Sequence, residues 1–215
     1  MAVLACVPAI PIVALRWVRP RTTAMMLDTQ RGQRASGVTL SHEWVDIEYI
    51  SREMWRAAIA AEDAYFRHHS GFDWHSIRRA LSHNHEGAST RGGSTISQQL
   101  AKNLFLWPGR SWLRKVVEAY LTVWIEMLLP KRRILELYLN VAQLDHDLYG
   151  VAAASERGWA KPPSELTRQD AALLASVLPS PTRLSFLVPT HEMRFRQLRI
   201  LDAMNRIGDA YLEEL

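Results

Sequence analysis

The sequence predicts a mainly α-helical protein with a single domain over residues 20–215. The chain has 215 residues, of which 48% are hydrophobic and 22% are charged, and this is typical of one globular domain with its own core. From Ser51 onward, apolar residues recur three and four positions apart, as they do along the buried face of a helix. Alternating runs typical of strands are few, and no internal repeat is present. A helical domain is therefore expected, with an apolar segment in front of it.

The N-terminal segment, residues 1–19, predicts a helix that anchors the domain in a membrane. Residues 2–15 are apolar, and Arg16, Trp17 and Arg19 follow them. This segment is shorter than the about 20 residues that a spanning helix needs, but Trp17 lengthens it and Arg16 can reach the lipid headgroups. The positive charges after the segment favour a cytoplasmic domain, so we expect the true N-terminus to lie further upstream. A buried helix and a signal peptide are the alternatives.

Charge and cysteine content narrow the classes of partner. The net charge is +4 and the isoelectric point is about 9.5, which favours an anionic partner such as a phosphate, a membrane surface or nucleic acid. Nucleic acid is not expected, because the sequence has no nucleic-acid-binding motif and carries a predicted anchor. The single cysteine, Cys6, excludes an intramolecular disulfide.

Capping and breaking residues set the expected bounds of the helices. Ser51 begins a helix that is expected to continue to residue 70. Two threonines precede a Gln or Asp by three positions, as in a capping box: Thr95 with Gln98, and Thr167 with Asp170. The other helices are expected over residues 76–84, 94–106, 112–129, 131–142, 167–178 and 191–215, with a short extended segment at 44–50 and a polar loop at 85–93.

Glu62 and Asp63 stand at the end of a run of Ala and Ile residues. A carboxylate is costly to remove from water, and burial would raise the pKa of Glu62 towards the range that suits acid–base catalysis. Asp63 falls on another face of the helix and can pair with His68, His69 or an arginine. A metal site is not predicted, because the segment has neither a His-x-x-x-His pair nor cysteine ligands.

The expected helix over residues 112–129 is almost entirely apolar outside one narrow stripe. Arg114, Glu118, Thr122 and Glu126 are successive i,i+4 neighbours and form that stripe. Because the rest of the helix is apolar, we expect it to be buried, with the stripe facing a cleft or a partner. The alternative is an internal ladder of ion pairs that only stabilises the fold.

A third pattern is RGGSTISQQLAKN, residues 91–103. Its glycines allow an unusual turn, and the helix start after them offers hydroxyl and backbone N–H groups that suit a phosphate. Gln99 and Lys102 lie on the same side of this helix as Thr95. The spacing of a P-loop is absent, and a plain capped helix is the alternative.

Together these patterns give two carboxylates in apolar surroundings, Glu62 and Glu118, with Lys102, Arg114 and Lys115 as nearby cations. Paired carboxylates are the usual groups of glycosidic chemistry. Cations that suit a phosphate, beside a membrane anchor, favour a lipid-linked phosphate as the substrate.

Four ordered motifs resemble those of the peptidoglycan glycosyltransferases, glycosyltransferase family 51. They are EDAYFRHHSGFDW, GGSTISQQLAKNLFLWPGRSW, RKVVEAY and KRRILELYLN, and a later stretch, ELTRQDAALLASVLPSPTRL, is also similar to the family. The similarity extends over about residues 15–205. It implies a lysozyme-like glycosyltransferase domain that a single span tethers to the cell inner membrane. The domain would face the periplasm and polymerise lipid II into β-1,4 glycan strands.

The resemblance also implies roles for individual residues. Glu62 would be the general base that deprotonates the 4-hydroxyl of the acceptor lipid II, which attacks the growing strand. Glu118 would be the second catalytic carboxylate, near the departing undecaprenyl pyrophosphate. The substrate-binding positions implied are Lys102, Arg114 and Lys115 at the pyrophosphate, Thr95, Gln99 and Asn103 along the same cleft, and Asp63, Phe66 and His69 in support of Glu62. No cofactor is required, and a divalent cation, Mg²⁺ or Mn²⁺, at the pyrophosphate is left open.

The sequence departs from the family over residues 143–159, where Glu-Phe-Gly-x-Gly and Tyr-Phe-Gly are expected. Gln143, Leu144 and Asp147 replace the first, and Arg157, Gly158 and Trp159 replace the second. We expect these differences to affect local packing or the binding of the acceptor more than the glycosyl-transfer reaction itself. No transpeptidase sequence follows, so a monofunctional enzyme is expected.

Two alternatives to a transferase remain at this point. A lytic transglycosylase or muramidase would need no cations for a pyrophosphate, so the three cations argue against it. An inactive scaffold of cell-wall synthesis would have no need of both carboxylates. The expected partners are lipid II, the growing glycan strand and membrane lipid, and cell-division or wall-synthesis proteins are left open.

Overall fold

Helices make up most of the chain that the computed structural model describes, which is residues 8–33, 37, 39–75, 78, 93–109 and 111–215. The helices are α1 (Ala9–Ala14), α2 (Ala24–Gln33), α3 (Arg52–Glu62), α4 (Ile96–Phe105), α5 (Trp112–Leu128), α6 (Lys131–Val141), α7 (Val151–Trp159), α8 (Arg168–Val177), α9 (His191–Met204) and α10 (Asp209–Glu213). The mainly α prediction is therefore confirmed. The start of the predicted anchor, the predicted helix at 76–84 except residue 78, and nearly all of the loop at 85–93 lie outside the described residues.

One small sheet accompanies the helices. Its strands are β1 (Ser41–His42), β2 (Gln143–Asp145) and β3 (Leu148–Tyr149), in the order β1–β3–β2. Strand β1 runs parallel to β3, and β2 runs antiparallel to it. The prediction of an extended segment at 44–50 is wrong for residues 47–49. The Asn140 side chain bonds both backbone groups of Val45, and residues 47–49 form a 3₁₀ turn.

Two groups of helices meet where α3 touches α6. Helix α3 packs against α8, α9 and α10, whereas α4 packs against α2, α5 and α6. The buried apolar side chains of both groups form one continuous core, which includes Ile59, Leu100 and Tyr138. Because Glu62 is the last residue of α3, it stands near the junction of the two groups.

The capping residues act as the sequence predicts. Thr95 and Thr167 each accept from the backbone three residues later, and the side chains of Gln98 and Asp170 bond back to them. Helix α5 ends before Pro130, and α6 begins directly after it. These caps satisfy backbone groups that a helix end would otherwise leave unpaired.

The helix predicted over residues 51–70 is shorter than expected, because α3 ends at Glu62. The backbone of Asp63 leaves the helical region, with φ −158° and ψ 71°. The Asp63 carboxylate accepts a hydrogen bond from the backbone N–H of Ile96, at 3.0 Å, and pairs with His69. Contacts with residues distant in the chain therefore end this helix, and such contacts have no local sequence signal.

The prediction that the helix at 112–129 is buried is also wrong. Helices α4, α1 and α6 pack against one side of α5, and the other side is exposed. The exposed apolar residues on α5 are Trp112, Leu113, Val116, Tyr120, Val123 and Met127. The sequence pattern identified an apolar helix correctly but could not show that neighbouring helices cover only part of its surface.

Within the described residues, no helix has the length and apolar character needed to cross a membrane. Helix α1 has six residues, and its Ile12 side chain is fully buried in the core. The Arg133 side chain donates to the backbone oxygens of Leu15, at 2.7 Å, and of Val18, at 2.9 Å. In this structure residues 12–18 therefore contact the helical domain.

Candidate active site

Glu62 presents one bonded and one unbonded carboxylate oxygen. Gln99 Nε2 donates to Glu62 Oε2 at 2.8 Å. Glu62 Oε1 is buried and has no hydrogen-bond partner among the described residues, and Arg196 Nη2 lies 3.8 Å from it. Burial raises the pKa of Glu62, against the lowering effects of the Gln99 hydrogen bond and of the positive charges of Arg196 and Lys102. A buried carboxylate with a free oxygen and a raised pKa has the properties of a general base.

Asp63 and His69 form a buried pair beneath Glu62. The ring nitrogen Nδ1 of His69 accepts from the backbone N–H of Gly71, so Nε2 carries the hydrogen and donates to Asp63 at 2.8 Å. Phe66 is fully buried and packs edge-on against His69. These side chains fix the turn after α3 and lie away from solvent.

The start of α4 is held against the turn that contains Gly71. The Thr95 hydroxyl donates to the Gly71 backbone oxygen at 2.7 Å. Gly71 has φ +92°, and a Cβ there would lie 2.8 Å from Thr122 Cγ2 on α5. Only glycine fits this conformation and this close approach. The position of Gly71 therefore sets how closely α4 and α5 approach the turn.

Lys102 lies one turn along α4 from Gln99. The next residue, Asn103, is buried. The Lys102 ammonium forms no hydrogen bond or ion pair with the described residues. Burial lowers the pKa of Lys102, the negative charge of Glu118 opposes that shift, and Arg114 adds to it. A partly buried ammonium without a bonded anion is suited to an anionic ligand.

Glu118 differs from Glu62 because both of its oxygens are bonded. Arg114 donates to Oε2 at 3.0 Å, and Lys115 donates to Oε1. Lys115 also bonds the Ser94 hydroxyl at 3.3 Å, and Arg114 Nε is buried with no partner among the described residues. Two cations are thus held side by side by one buried carboxylate.

The ladder of ion pairs considered for the stripe on α5 is present only in part. Arg114 and Glu118 pair as the spacing predicts. Glu126 instead accepts from the Ser97 hydroxyl and pairs with Lys131 at 2.8 Å. The stripe therefore divides into a cation-bearing half at Glu118 and a structural half at Glu126.

The structure brings the predicted residues into one region. The charges of both Glu62 and Glu118 act on the Lys102 ammonium, which places that cation near both carboxylates. Two residues at the site have no predicted role: Tyr138, which bonds Gln99, and Arg196, which faces Glu62. Tyr138 lies in the fourth motif, so the sequence offered a signal that it belongs to the site. Nothing in the sequence distinguishes Arg196 from the other arginines of α9.

The residues at 143–159 that differ from the family pattern contact each other and the loop before α9. Arg157 donates twice to Asp147, at 2.6 and 3.0 Å, and this lowers the pKa of Asp147. Trp159 stacks on Phe186 with ring centroids 5.7 Å apart. The replaced residues thus give the segment its own packing.

Metal ligands do not converge in the part of the chain that the structure describes. No group of three or more His, Cys, Asp or Glu side chains there has an arrangement that could hold a metal ion.

Comparison with known proteins identifies a single family. A family model described as Transglycosylase matches residues 30–205. The chain is 44% identical to a biosynthetic peptidoglycan transglycosylase of Pasteurella multocida over 207 residues, which is 95% of this chain and 84% of the relative. It is 50% identical to one of Klebsiella oxytoca over 190 residues, 86% and 78% of the two chains. For one of Xylella fastidiosa the identity is 41% over 217 residues, 99% and 89%.

Proposed function

Because the chain belongs to the transglycosylase family, we propose that its site polymerises lipid II into β-1,4-linked glycan strands. Peptidoglycan glycosyltransferase activity in cell-wall synthesis is the function that the family and the names of the relatives support. The observation that supports the detailed proposal is that neither Glu62 Oε1 nor the Lys102 ammonium, which lies in the same region, has a hydrogen-bond partner among the described residues. The carboxylate oxygen can accept a proton, and the ammonium can bind a phosphate.

Glu62 is the general base in this proposal. Its Oε1 takes the proton of the acceptor 4-hydroxyl, and that oxygen forms a bond to C1 of the donor sugar with inversion. The bond from C1 to the pyrophosphate oxygen breaks, and undecaprenyl pyrophosphate leaves with the electron pair. The raised pKa of Glu62 improves its match to a hydroxyl near neutral pH.

Lys102, Arg114 and Lys115 stabilise the leaving pyrophosphate in this proposal. Negative charge grows on the pyrophosphate as the bond breaks, and cations already in position stabilise it without further reorganisation. Glu118 holds Arg114 and Lys115 side by side and so acts on the leaving group through them. Lys102, which has no bonded anion among the described residues, contacts the pyrophosphate directly.

The remaining predicted residues divide into those that line the cleft and those that support it. Gln99 contacts Glu62 and lines the cleft, with Asn103 further along the same helix. Three of the supporting residues are buried, namely Asp63, Phe66 and Thr95, and His69 bonds Asp63. In the proposal these four residues hold the backbone around Glu62 in place and do not touch the substrate.

The lipid-linked substrate places the enzyme at a membrane, and we infer the cell inner membrane with the domain of residues 20–215 in the periplasm. The exposed apolar face of α5 supports this attachment. In vesicle co-sedimentation with anionic phospholipid, the double variant Val116→Glu and Met127→Glu should bind more weakly than the wild type. Val188→Glu, an equally exposed position in the loop before α9, is the control and should bind as the wild type does.

The decisive experiment is polymerisation of labelled lipid II by the detergent-solubilised full chain. Glu62→Gln should lower the rate by about 10²- to 10⁴-fold, because general-base catalysis is worth that much. Glu48→Gln changes an exposed glutamate that pairs with Arg132, and it should leave the rate unchanged. Shortening of preformed glycan would instead identify a lytic enzyme. Folded wild type that makes no strands would favour a scaffold.

A further inference from the structure

Tyr138 is connected to the Glu62 carboxylate through one side chain. Its hydroxyl donates to Gln99 Oε1 at 3.1 Å, and Gln99 Nε2 donates to Glu62 Oε2 at 2.8 Å. The three residues come from α6, α4 and α3, so the connection joins three helices. Tyr138 is fully buried and lies outside the set of residues to which the resemblance assigns a role.

The chemistry of the three groups allows one arrangement of the amide. An ionised carboxylate only accepts hydrogen bonds, so Gln99 must turn its NH₂ group towards Glu62. The amide oxygen is then left facing Tyr138 and needs a donor. Burial raises the pKa of Tyr138 well above that of an ordinary tyrosine, so its hydroxyl keeps the proton that it donates. The phenol therefore stabilises the amide orientation that bonds Glu62.

We propose that Tyr138 is a positioning residue for glycosyl transfer, which acts through Gln99 to hold Glu62 Oε2 and to leave Oε1 free for the acceptor proton. The inference rests on the proposed function, because it assigns a task to the general base. It is supported by the difference between the two oxygens, since Oε2 is bonded and the buried Oε1 has no hydrogen-bond partner among the described residues.

The charged and titratable groups around Glu62 set the direction of the pH effect. Arg196 faces it from α9, Lys102 from α4 and Tyr138 from α6, and Asp63, which pairs with His69, follows it in the chain. The hydrogen bond from Gln99 favours the ionised carboxylate. Without the Tyr138 donor, the amide can turn its oxygen towards Glu62, which disfavours ionisation. The base would then lose its proton only at higher pH.

The test is the pH profile of lipid II polymerisation by the full chain at low substrate concentration, where the rate reports the free enzyme. In Tyr138→Phe the acidic limb should move up by about one pH unit, and activity should recover as the pH rises. Tyr149→Phe is the matched control, because Tyr149 is also fully buried and its hydroxyl bonds Thr29 at 2.7 Å. Its acidic limb should coincide with that of the wild type.

A second variant keeps the inference testable if Tyr138→Phe folds poorly. Gln99→Met removes the bond to Glu62 directly and should move the acidic limb in the same direction. Combining the two substitutions should add little, because both act on one connection. A lowered rate with an unmoved acidic limb in either variant would overturn the inference and leave Tyr138 as a packing residue. A wild type that makes no glycan would overturn the proposed function instead, and the two failures are therefore distinguishable.

Discussion

The two carboxylates of the site have the same side chain and contrasting surroundings. Glu62 ends helix α3, accepts one hydrogen bond from a neutral amide, and keeps one oxygen without a hydrogen bond from the described residues. Glu118 lies within α5, and both of its oxygens are bonded by cations, Arg114 and Lys115. Among the described residues, one oxygen of the first carboxylate accepts no hydrogen bond, whereas each oxygen of the second accepts one.

In the proposed mechanism, this difference separates a proton acceptor from a fixed anion. Desolvation without full compensation favours the protonated form of Glu62, and its free oxygen can receive a proton from a substrate. The cations on Glu118 satisfy both of its oxygens, so its contribution is to hold those cations at defined positions. The mechanism proposed above therefore gives the two glutamates different roles because their surroundings differ.

Shortening each carboxylate by one methylene should separate the two residues most strongly. Glu62→Asp should lower the polymerisation rate by about 10²-fold, because a displacement of about 1 Å at the reacting group costs that much. Glu118→Asp should lower it by less than about tenfold, because the long side chains of Arg114 and Lys115 can follow the shorter carboxylate. Steady-state rates with labelled lipid II measure both. Equal losses would remove the distinction between the two sites.

A smaller effect is expected at Lys102, in binding of undecaprenyl pyrophosphate. Lys102→Met should weaken that binding by about tenfold to a hundredfold at neutral pH, because one charge-assisted contact is lost. Because burial lowers the pKa of Lys102, its charge is present below that pKa and is lost as the pH rises through it. Affinity of the wild type should therefore fall at alkaline pH.

The control for Lys102 is Lys102→Arg, which keeps its charge at alkaline pH and should keep its affinity there. Fluorescence competition binding across the alkaline range makes the comparison. If both proteins lost affinity in parallel, Lys102 would not be the group that binds the anion.

Gly71 allows a test of the close contact between the turn after α3 and helix α5, which carries Glu118. Gly71→Ala should lower the free energy of unfolding by about 1–3 kcal/mol, because φ is +92° and a Cβ would meet Thr122 at 2.8 Å. Gly208→Ala is the control, since φ is −72° and no atom lies within 4 Å of its Cβ position. Urea unfolding measures both variants. Equal stability would show that the turn can move away from α5.

The smallest effect is expected far along the chain, at Asp147. Asp147→Asn breaks the pair with Arg157 and should cost less than about 1 kcal/mol, because the pair is partly exposed. Arg157 lowers the pKa of Asp147, so the stabilisation is present above the unfolded pKa and is lost as the pH falls through the folded one. Unfolding midpoints at neutral and acidic pH measure this. A large loss of polymerisation activity at neutral pH would instead show that residues 143–159, which differ from the family pattern, affect the active site.

Features that depend on neighbours a few residues away could be predicted from the sequence. The capping boxes at Thr95 and Thr167 and the stop at Pro130 were all predicted, because a cap is completed within one turn of its own helix. The motifs also predict Glu62 and Glu118 as the two carboxylates of the site, since both stand in patterns that can be read locally, and this stays a prediction.

Features that depend on distant partners could be seen only after the helices had been placed against each other. Helix α3 ends at Glu62 because Asp63 bonds Ile96, thirty-three positions later in the chain. The apolar face of α5 is exposed because neighbouring helices cover only one side of it. The connection from Tyr138 to Glu62 crosses three helices. Side-chain partners of this kind follow from how helices pack, and a residue pattern along one helix carries no information about which helix lies against it.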